Sequence, residues 1–198
     1  MNKEMLTFIK GRRSTRKYKK DCPKRELIET VIEAGRFAPS GGNNQSTHFL
    51  VITDKKVLDT LQKLVAEEFV KMEVTEGGSK LLMHAIRASK RGEYVFNYNA
   101  PVLIITANLE NYGNNIADCS CALENMMLMA NALDLGSCWI NQLRWLKDNP
   151  VILAYLKTIG LKETERVYGA LAVGFSDTLD GLPVRNPLKR IGNPVSWV

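Results

Sequence analysis

The longest regular hydrophobic pattern in the chain spans residues 115–133, and it constrains the fold more than any other feature. Small and apolar side chains recur there at steps of three and four, which predicts one long helix with a broad apolar face. The residues of that face are Ile116, Cys119, Leu123, Met126, Met127, Ala130 and Leu133. Two continuous apolar runs, residues 101–107 and 166–175, flank the helix and predict buried strands.

The other elements alternate irregularly along the chain. Helices are predicted over residues 4–10, 23–37, 55–72, a stretch that ends at 90, and 149–159; strands are predicted over residues 47–53, 137–140 and 195–198. Asp21 or Cys22 is the expected cap of the second helix, with Pro23 in its first turn, and Gly77 and Gly78 are expected to separate two helices. This order indicates the α+β class rather than the regular alternation of a doubly wound sheet.

Length and composition indicate one folded domain over residues 1–198. The longest apolar stretch, residues 100–109, is far shorter than the ~20 residues that a membrane span needs. The start of the chain has no cleavage site of small residues, so no signal peptide is expected. No CxxC motif is present and only two histidines are available, so the sequence predicts no metal site and reduced thiols in a cytoplasmic protein. The four cysteines are Cys22, Cys119, Cys121 and Cys138.

Positive charge is concentrated near the N-terminus. The net charge is +6, and most residues between Lys10 and Lys20 are Lys or Arg. Guanidinium groups present forked donors that match phosphate oxygens, so residues 12–16 (RRSTR) are a candidate phosphate site. Composition alone favours a solvated basic patch or a nucleic-acid contact instead. Because no nucleic-acid-binding motif is present and Tyr18 is the one aromatic residue nearby, we expect no nucleic-acid partner.

Two further polar segments could bind a planar ligand. Residues 38–45 (APSGGNNQ) form a loop rich in amides and hydroxyls between a helix and a strand, although most loops of this composition are only loops. Residues 135–142 (LGSCWINQ) place Cys138 beside a tryptophan. No base partner is evident for a nucleophilic cysteine, so core packing is the favoured interpretation of Cys138. Neither GxGxxG nor GxxxxGK[ST] is present, so any nucleotide is held in another way.

Four segments, in this order, resemble the FMN-dependent nitroreductase family. RRSTRKY (12–18) is similar to the family's phosphate motif, and APSGGNNQSTHFLVIT (38–53) to its Ala-Pro-Ser-x-x-Asn-x-Gln stretch. DCSCALENMMLMANALDLGSCWI (118–140) is similar to its central helix and following turn, and PVRNP (183–187) to its terminal Arg-x-Pro signature. The resemblance covers almost the whole chain.

The resemblance implies a mixed central β-sheet flanked by helices and an intertwined homodimer with FMN at the subunit interface. The helix over residues 115–133 would be central to that interface. Around the phosphate would lie Arg12, Arg13, Ser14, Arg16 and Arg185. From the other subunit, towards the ring and ribityl chain, would come Pro39, Ser40, Asn43 and Gln45. Along the N5 edge would lie Ser137, Cys138, Trp139, Ile140, Asn141 and Gln142, and at the pyrimidine edge Asn97 and Asn99.

The resemblance also implies an activity. NADH or NADPH would deliver hydride to flavin N5, and an electron-poor small molecule, such as a nitroaromatic or a quinone, would then occupy the same site in a ping-pong cycle. The flavin carries this chemistry, so no dedicated acid, base or nucleophile is expected. Other readings stay open: a flavoenzyme of the same fold that removes halogens or reduces activated alkenes, a non-catalytic flavin-binding redox protein, and a basic nucleic-acid binder.

Overall fold

A computed structural model describes residues 3–74 and 79–198 of the chain. Its helices are α1 (Lys3–Gly11), α2 (Arg25–Arg36), α3 (Lys55–Val70), α4 (Lys80–Lys90), α5 (Asn115–Ala132), α6 (Gln142–Trp145) and α7 (Pro150–Thr158), and its strands are β1 (His48–Ile52), β2 (Val102–Leu109), β3 (Gly136–Ile140) and β4 (Glu165–Gly174). Most predicted elements are therefore present within a few residues of the expected bounds. The predicted break at Gly77 and Gly78 lies outside the described residues.

The four strands form one sheet in the order β1-β2-β4-β3, and each neighbouring pair is antiparallel. The predicted α+β class is confirmed. The sheet that the resemblance implies as mixed is therefore antiparallel throughout its named strands. Parallel pairing occurs in residues 3–74 and 79–198 only as an isolated bridge between Ser14 and Ser137, outside those strands.

Helices cover both faces of the sheet, and the side chains of β2 alternate between them. Val102 and Ile104 pack with the buried residues of α2 and α5, whereas Leu103 and Ile105 pack with those of α3, α4 and α7. Every residue of β2 except Leu109 is buried. The two central strands, β2 and β4, are almost entirely buried and form the centre of the core. Full burial of one such aliphatic side chain contributes roughly 1.5–3 kcal/mol.

Two local expectations were wrong. Helix α2 begins at Arg25, after Lys24, whose extended backbone (ψ 148°) occupies the cap position without a side-chain cap bond, so neither Asp21 nor Cys22 caps it. Pro23 is buried before the helix rather than in its first turn, which delays the start of the helix. No strand forms over residues 195–198, because these residues are exposed and no strand pairs with them in the part of the chain that the structure describes.

The N-terminal basic segment, residues 12–20, is fixed beside the ends of β3 and β4. The amide of Thr15 donates to Ser137 O at 2.9 Å, and the amide of Lys19 donates to Phe175 O at 2.9 Å. The hydroxyl of Tyr18 donates to Thr15 O at 2.8 Å. These bonds give a strongly charged segment a defined path along the sheet.

This path leaves no room for side chains at the ends of the two strands. A Cβ added at Gly136 would lie 2.7 Å from Thr15 Cγ2, and one at Gly174 would lie 2.7 Å from Pro101 Cδ and 3.1 Å from Tyr18 Cδ1. Glycine at positions 136 and 174 therefore permits these close contacts.

We expect Gly174→Ala to lower the free energy of unfolding by about 1–3 kcal/mol, because the added methyl group meets the rigid ring of Pro101. Urea unfolding measures the change. Gly113→Ala is the matched control, since no atom lies within 4 Å of a Cβ built there, and it should stay within about 0.5 kcal/mol of the parent. Equal losses in the two variants would contradict the close approach.

Candidate functional site

A cleft of about 650 Å³ lies between the N-terminal basic segment, helix α4 and the end of β3. Its aromatic lining residues are Tyr18, Tyr94, Tyr98, Trp139 and Trp145, and its cationic ones are Arg16, Lys17 and Arg91. Aromatic walls with a charged rim suit a planar ligand that carries anionic groups.

The arginines of the basic segment have different surroundings. Arg12 Nη1 is buried and has no hydrogen-bond partner among the described residues. Arg13 Nη1 donates to Asn186 O at 2.6 Å, and the Arg16 guanidinium lies 5.9 Å from the centre of the Tyr98 ring. A buried guanidinium nitrogen without an acceptor is costly, so Arg12 is the arginine best placed to receive an anion.

Residues 137–142 divide between the core and the cleft. Ser137, Cys138 and Ile140 are each at most 2% exposed and do not line the cleft, whereas Trp139, Asn141 and Gln142 do. Asn141 Oδ1 accepts a bond from Trp139 Nε1 at 3.1 Å, and the side-chain amide of Gln142 donates to the hydroxyl of Tyr94. These two bonds fix the side chains of the cleft wall.

The Cys138 thiol lies beside the arginines but is not activated by them. Burial raises the pKa of Cys138, and the opposing influence of the Arg16 charge and of a hydrogen bond with Ser14 is smaller. The thiol is therefore protonated at neutral pH, which agrees with core packing rather than a nucleophilic role.

Strained backbone occurs at the rim of the cleft. Tyr98 and Asn99 have φ values of +56° and +55°, in the left-handed region that non-glycine residues rarely adopt. Asn97 is fully buried, its Oδ1 accepts a bond from Gln62 Nε2 at 2.7 Å, and its Nδ2 has no partner among the described residues. Strain of this kind is concentrated at ligand sites, where surrounding contacts hold it in place.

The loop of residues 38–45 lies elsewhere in the same chain. Its predicted site residues line a second cavity of about 450 Å³, together with residues of α2, β1 and α5: Pro39, Ser40, Asn43 and Gln45. None of the four lines the aromatic cleft. Five other predicted site residues line the aromatic cleft: Arg16, Asn99, Trp139, Asn141 and Gln142. Neither cavity is lined by the remaining ones, which are Arg12, Arg13, Ser14, Asn97, Ser137, Cys138, Ile140 and Arg185.

Arg185, from the C-terminal tail, lies near the basic segment but contacts other groups. Its Nη2 donates to Asn131 O and to Asp134 Oδ1, both at 2.6 Å, at the end of α5. A Cβ built on Gly11 would lie 3.4 Å from Arg185 O, so the Arg185 backbone passes close to the first arginines. A contact of Arg185 with a phosphate stays a prediction. The phosphate would compete with Asp134 for the Arg185 guanidinium.

Sequence reasoning missed much of the cleft wall. One face of α4 contributes Leu81, His84 and Ala88, and Tyr94 and Trp145 were not assigned to a site. The spacing of Leu81, His84 and Ala88 places them on one helix face, but such a pattern is equally typical of a core-facing stripe. The usable sequence signal for this wall was a pair of tyrosines four residues apart, Tyr94 and Tyr98.

Residues 3–74 and 79–198 contain neither a candidate metal site nor a candidate membrane span. No group of three or more His, Cys, Asp or Glu side chains could hold a metal ion. No helix in these residues is long and apolar enough to cross a membrane.

The α+β fold, the aromatic cleft and the buried donor of Arg12 define a protein class that binds a planar, phosphorylated cofactor. A comparison with family models narrows this class. The model described as the nitroreductase family matches residues 9–175, and this chain belongs to that family.

Relatives and solved structures agree with the assignment. The chain is similar, at 27% identity over 175 residues, to an NADH dehydrogenase/NAD(P)H nitroreductase of Archaeoglobus fulgidus, with 87% of this chain and 85% of the relative covered. It is also similar to a nitroreductase with bound FMN from Bacteroides fragilis, with a TM-score of 0.86, 31% identity, and coverage of 98% of this chain and 99% of that chain. A nitroreductase from Desulfitobacterium hafniense supports the fold, with a TM-score of 0.82, 22% identity and full coverage of both chains.

The surroundings of Cys138 lead to a labelling prediction. In the native protein at pH 7, an alkylating reagent should modify Cys22, which is exposed, well before Cys138, which is 2% exposed. Peptide mass spectrometry after timed quenching measures both sites, and the same reagent on unfolded protein should modify both at similar rates. Modification of native Cys138 as fast as Cys22 would mean that the thiol is accessible and ionised.

Proposed function

We propose that this chain is an FMN-dependent NAD(P)H oxidoreductase that reduces an electron-poor small molecule, such as a nitroaromatic or a quinone. The observation that carries the proposal is the buried Arg12 Nη1, which lacks an acceptor and belongs to the same basic segment as Arg16 and Lys17 of the aromatic-lined cleft. Family membership supports it, as do the FMN bound by the similar Bacteroides fragilis protein and the NAD(P)H nitroreductase name of the Archaeoglobus fulgidus relative.

The residues of the cleft fit FMN. An unpartnered guanidinium nitrogen suits a phosphate oxygen, and a cleft walled by tyrosine and tryptophan suits a planar ring. We assign Arg12, Arg13 and Ser14 to the phosphate. Arg16 lies against the Tyr98 ring inside the cleft, so we assign it to the ring system rather than to the phosphate predicted from the sequence.

The chemistry that FMN supplies when bound is hydride transfer through N5, from NADH or NADPH to the acceptor, with the two substrates using one site in turn. The protein binds the cofactor, orients it and excludes water from it. Burial raises the pKa of Tyr94 to about 12, so its hydroxyl keeps its proton at neutral pH and remains neutral against Gln142. Backbone amides near Asn141 and Gln142 are the proposed donors to the N5 edge of the ring.

We infer that the working protein is a homodimer. The loop of residues 38–45 does not line the aromatic cleft of its own chain, so a second copy would have to bring it there. Large apolar side chains are also exposed in a single chain: Phe37 is 79% exposed, Ile191 is 93% exposed and Trp197 is 94% exposed. Exposed apolar surface on this scale is typical of an interface.

All four cysteines are free, which is consistent with the cytoplasmic location we propose.

An absorbance spectrum combined with a mass measurement tests the proposal. Purified protein should show oxidised flavin bands at about one FMN per chain, and light scattering should give about twice the chain mass of 22.2 kDa. Anaerobic NADH or NADPH should bleach the bands, and a nitroaromatic or quinone should restore them.

Each failure of this experiment has a distinct meaning. Bound flavin that neither nucleotide reduces would indicate a non-catalytic flavin-binding protein. Reduction by NAD(P)H without reoxidation by either acceptor would indicate a flavoenzyme with another substrate, such as a halogenated compound or an activated alkene. A colourless protein whose affinity for DNA falls steeply with salt would indicate a nucleic-acid binder.

We expect Arg12→Ala to weaken FMN binding by about tenfold to a hundredfold, because one charge-assisted hydrogen bond contributes roughly 1.5–3 kcal/mol. Titration of the flavin-free protein with FMN measures the dissociation constant. Arg87→Ala is the matched control, since Arg87 is exposed on α4 and does not line the cleft. If Arg12→Ala purifies as yellow as the control, the phosphate assignment is wrong.

A further inference from the structure

The loop of residues 38–45 has an unusual backbone. Gly42, Asn43 and Gln45 all have positive φ values, of 58°, 55° and 51°. Internal bonds stabilise its shape: Ser40 Oγ accepts from the Gln45 amide at 3.0 Å, and Gln45 Nε2 donates to Asn43 Oδ1 at 3.0 Å. These bonds connect the loop to itself and do not determine where it lies relative to the rest of the protein.

The position of the loop is determined at Gly41. Its amide donates to Asp118 Oδ1 at 3.0 Å, and its carbonyl oxygen accepts from the Tyr112 hydroxyl at 3.1 Å. A Cβ at Gly41 would lie only 1.9 Å from Asn114 Nδ2, so the loop is in direct contact with that side chain. We call Tyr112, Asn114 and Asp118 the loop anchor.

Asp118 connects the loop anchor to the packed core of the fold. Asp118 lies in the first turn of α5, which packs on β2 and β4, and its side chain is buried at 5% exposure. It lines the same cavity as Ser40, Asn43 and Gln45. A carboxylate accepting from a backbone amide makes a strong hydrogen bond. The Gly41 amide is therefore held by α5, and its carbonyl oxygen is held by Tyr112 in the segment just before that helix.

We propose that Tyr112 and Asp118 are positioning residues for FMN, which hold the loop so that it can reach the flavin of the second copy in the dimer. This inference rests on the proposed function, since it needs a bound FMN. The two residues act through Gly41: neither has to touch the cofactor. Loss of the anchor lets the loop move, and FMN then dissociates faster while the fold remains intact.

Tyr112→Phe tests the anchor with a minimal change. The variant loses one hydroxyl that bonds a backbone carbonyl, and the FMN dissociation rate from the holoenzyme should rise about twofold to tenfold, the range expected for one neutral hydrogen bond. Flavin fluorescence released after dilution measures the rate. Tyr155→Phe is the matched control: its half-buried hydroxyl donates to Val57 O at 3.2 Å, away from the loop.

The melting temperature separates positioning from general stability. Without FMN, both tyrosine variants should melt at similar temperatures, but only Tyr112→Phe should release FMN faster from the holoenzyme. Equal release rates in the two variants would overturn the proposal, as would a Tyr112→Phe protein that retains FMN like the parent.

Substitutions of Asp118 give a second, graded test. Asp118→Asn keeps an oxygen that can accept from the Gly41 amide, whereas Asp118→Leu removes the acceptor. FMN release should be fastest for Asp118→Leu and close to the parent for Asp118→Asn, when each is compared at equal folded fraction. Should Asp118→Asn release FMN as fast as Asp118→Leu, the hydrogen bond to Gly41 is not what matters.

Failure of the proposed function has a different signature. If the parent protein binds no FMN, the proposed function is wrong and the anchor has no flavin to position. If the parent binds FMN at the expected ratio and the Tyr112 and Asp118 variants behave like it, the proposed function stands and only the positioning role is lost.

Discussion

The site depends on one contact: the docking of the N-terminal basic segment along the ends of β3 and β4. Backbone bonds from Thr15 to Ser137 and from Lys19 to Phe175 hold a segment that would otherwise extend into solvent, since its like charges repel one another. Glycine at positions 136 and 174 is what permits so close an approach. The aromatic cleft exists because this docking closes one of its sides.

Helix and strand positions were predictable because their information is local. Burial of one helix face gives the three- and four-residue steps of α5. Burial of both strand faces gives the continuous apolar runs of β2 and β4. The start of α2 was not predictable, because a proline is compatible both with the first turn of a helix and with the residues before it. Strand pairing direction was equally inaccessible, since an apolar run is compatible with either direction.

The candidate site was predictable as a set of segments, but not as a set of contacts. Residues 12–16 and 137–142 do meet, through the Ser14–Ser137 bridge, and the loop of residues 38–45 does form a polar cavity. The sequence cannot specify which of its arginines is left without an acceptor in the folded chain. Arg13 and Arg185 resemble Arg12 in type, yet one bonds Asn186 O and the other bonds Asp134, so their charges are partly engaged by the protein itself.

Backbone strain occurs beside both cavities. Of the six non-glycine residues with positive φ in the described chain, four lie in just two places, residues 43–45 beside one cavity and residues 98–99 beside the other. Each such residue costs of order 1 kcal/mol and persists only where its surroundings over-determine it. Gly41 is bonded on both sides by the loop anchor, and Gln62 donates to both Asn97 and Asn99. These hydrogen bonds hold both strained segments within the single chain. A ligand that meets loops held in this way needs less of its binding free energy to order them.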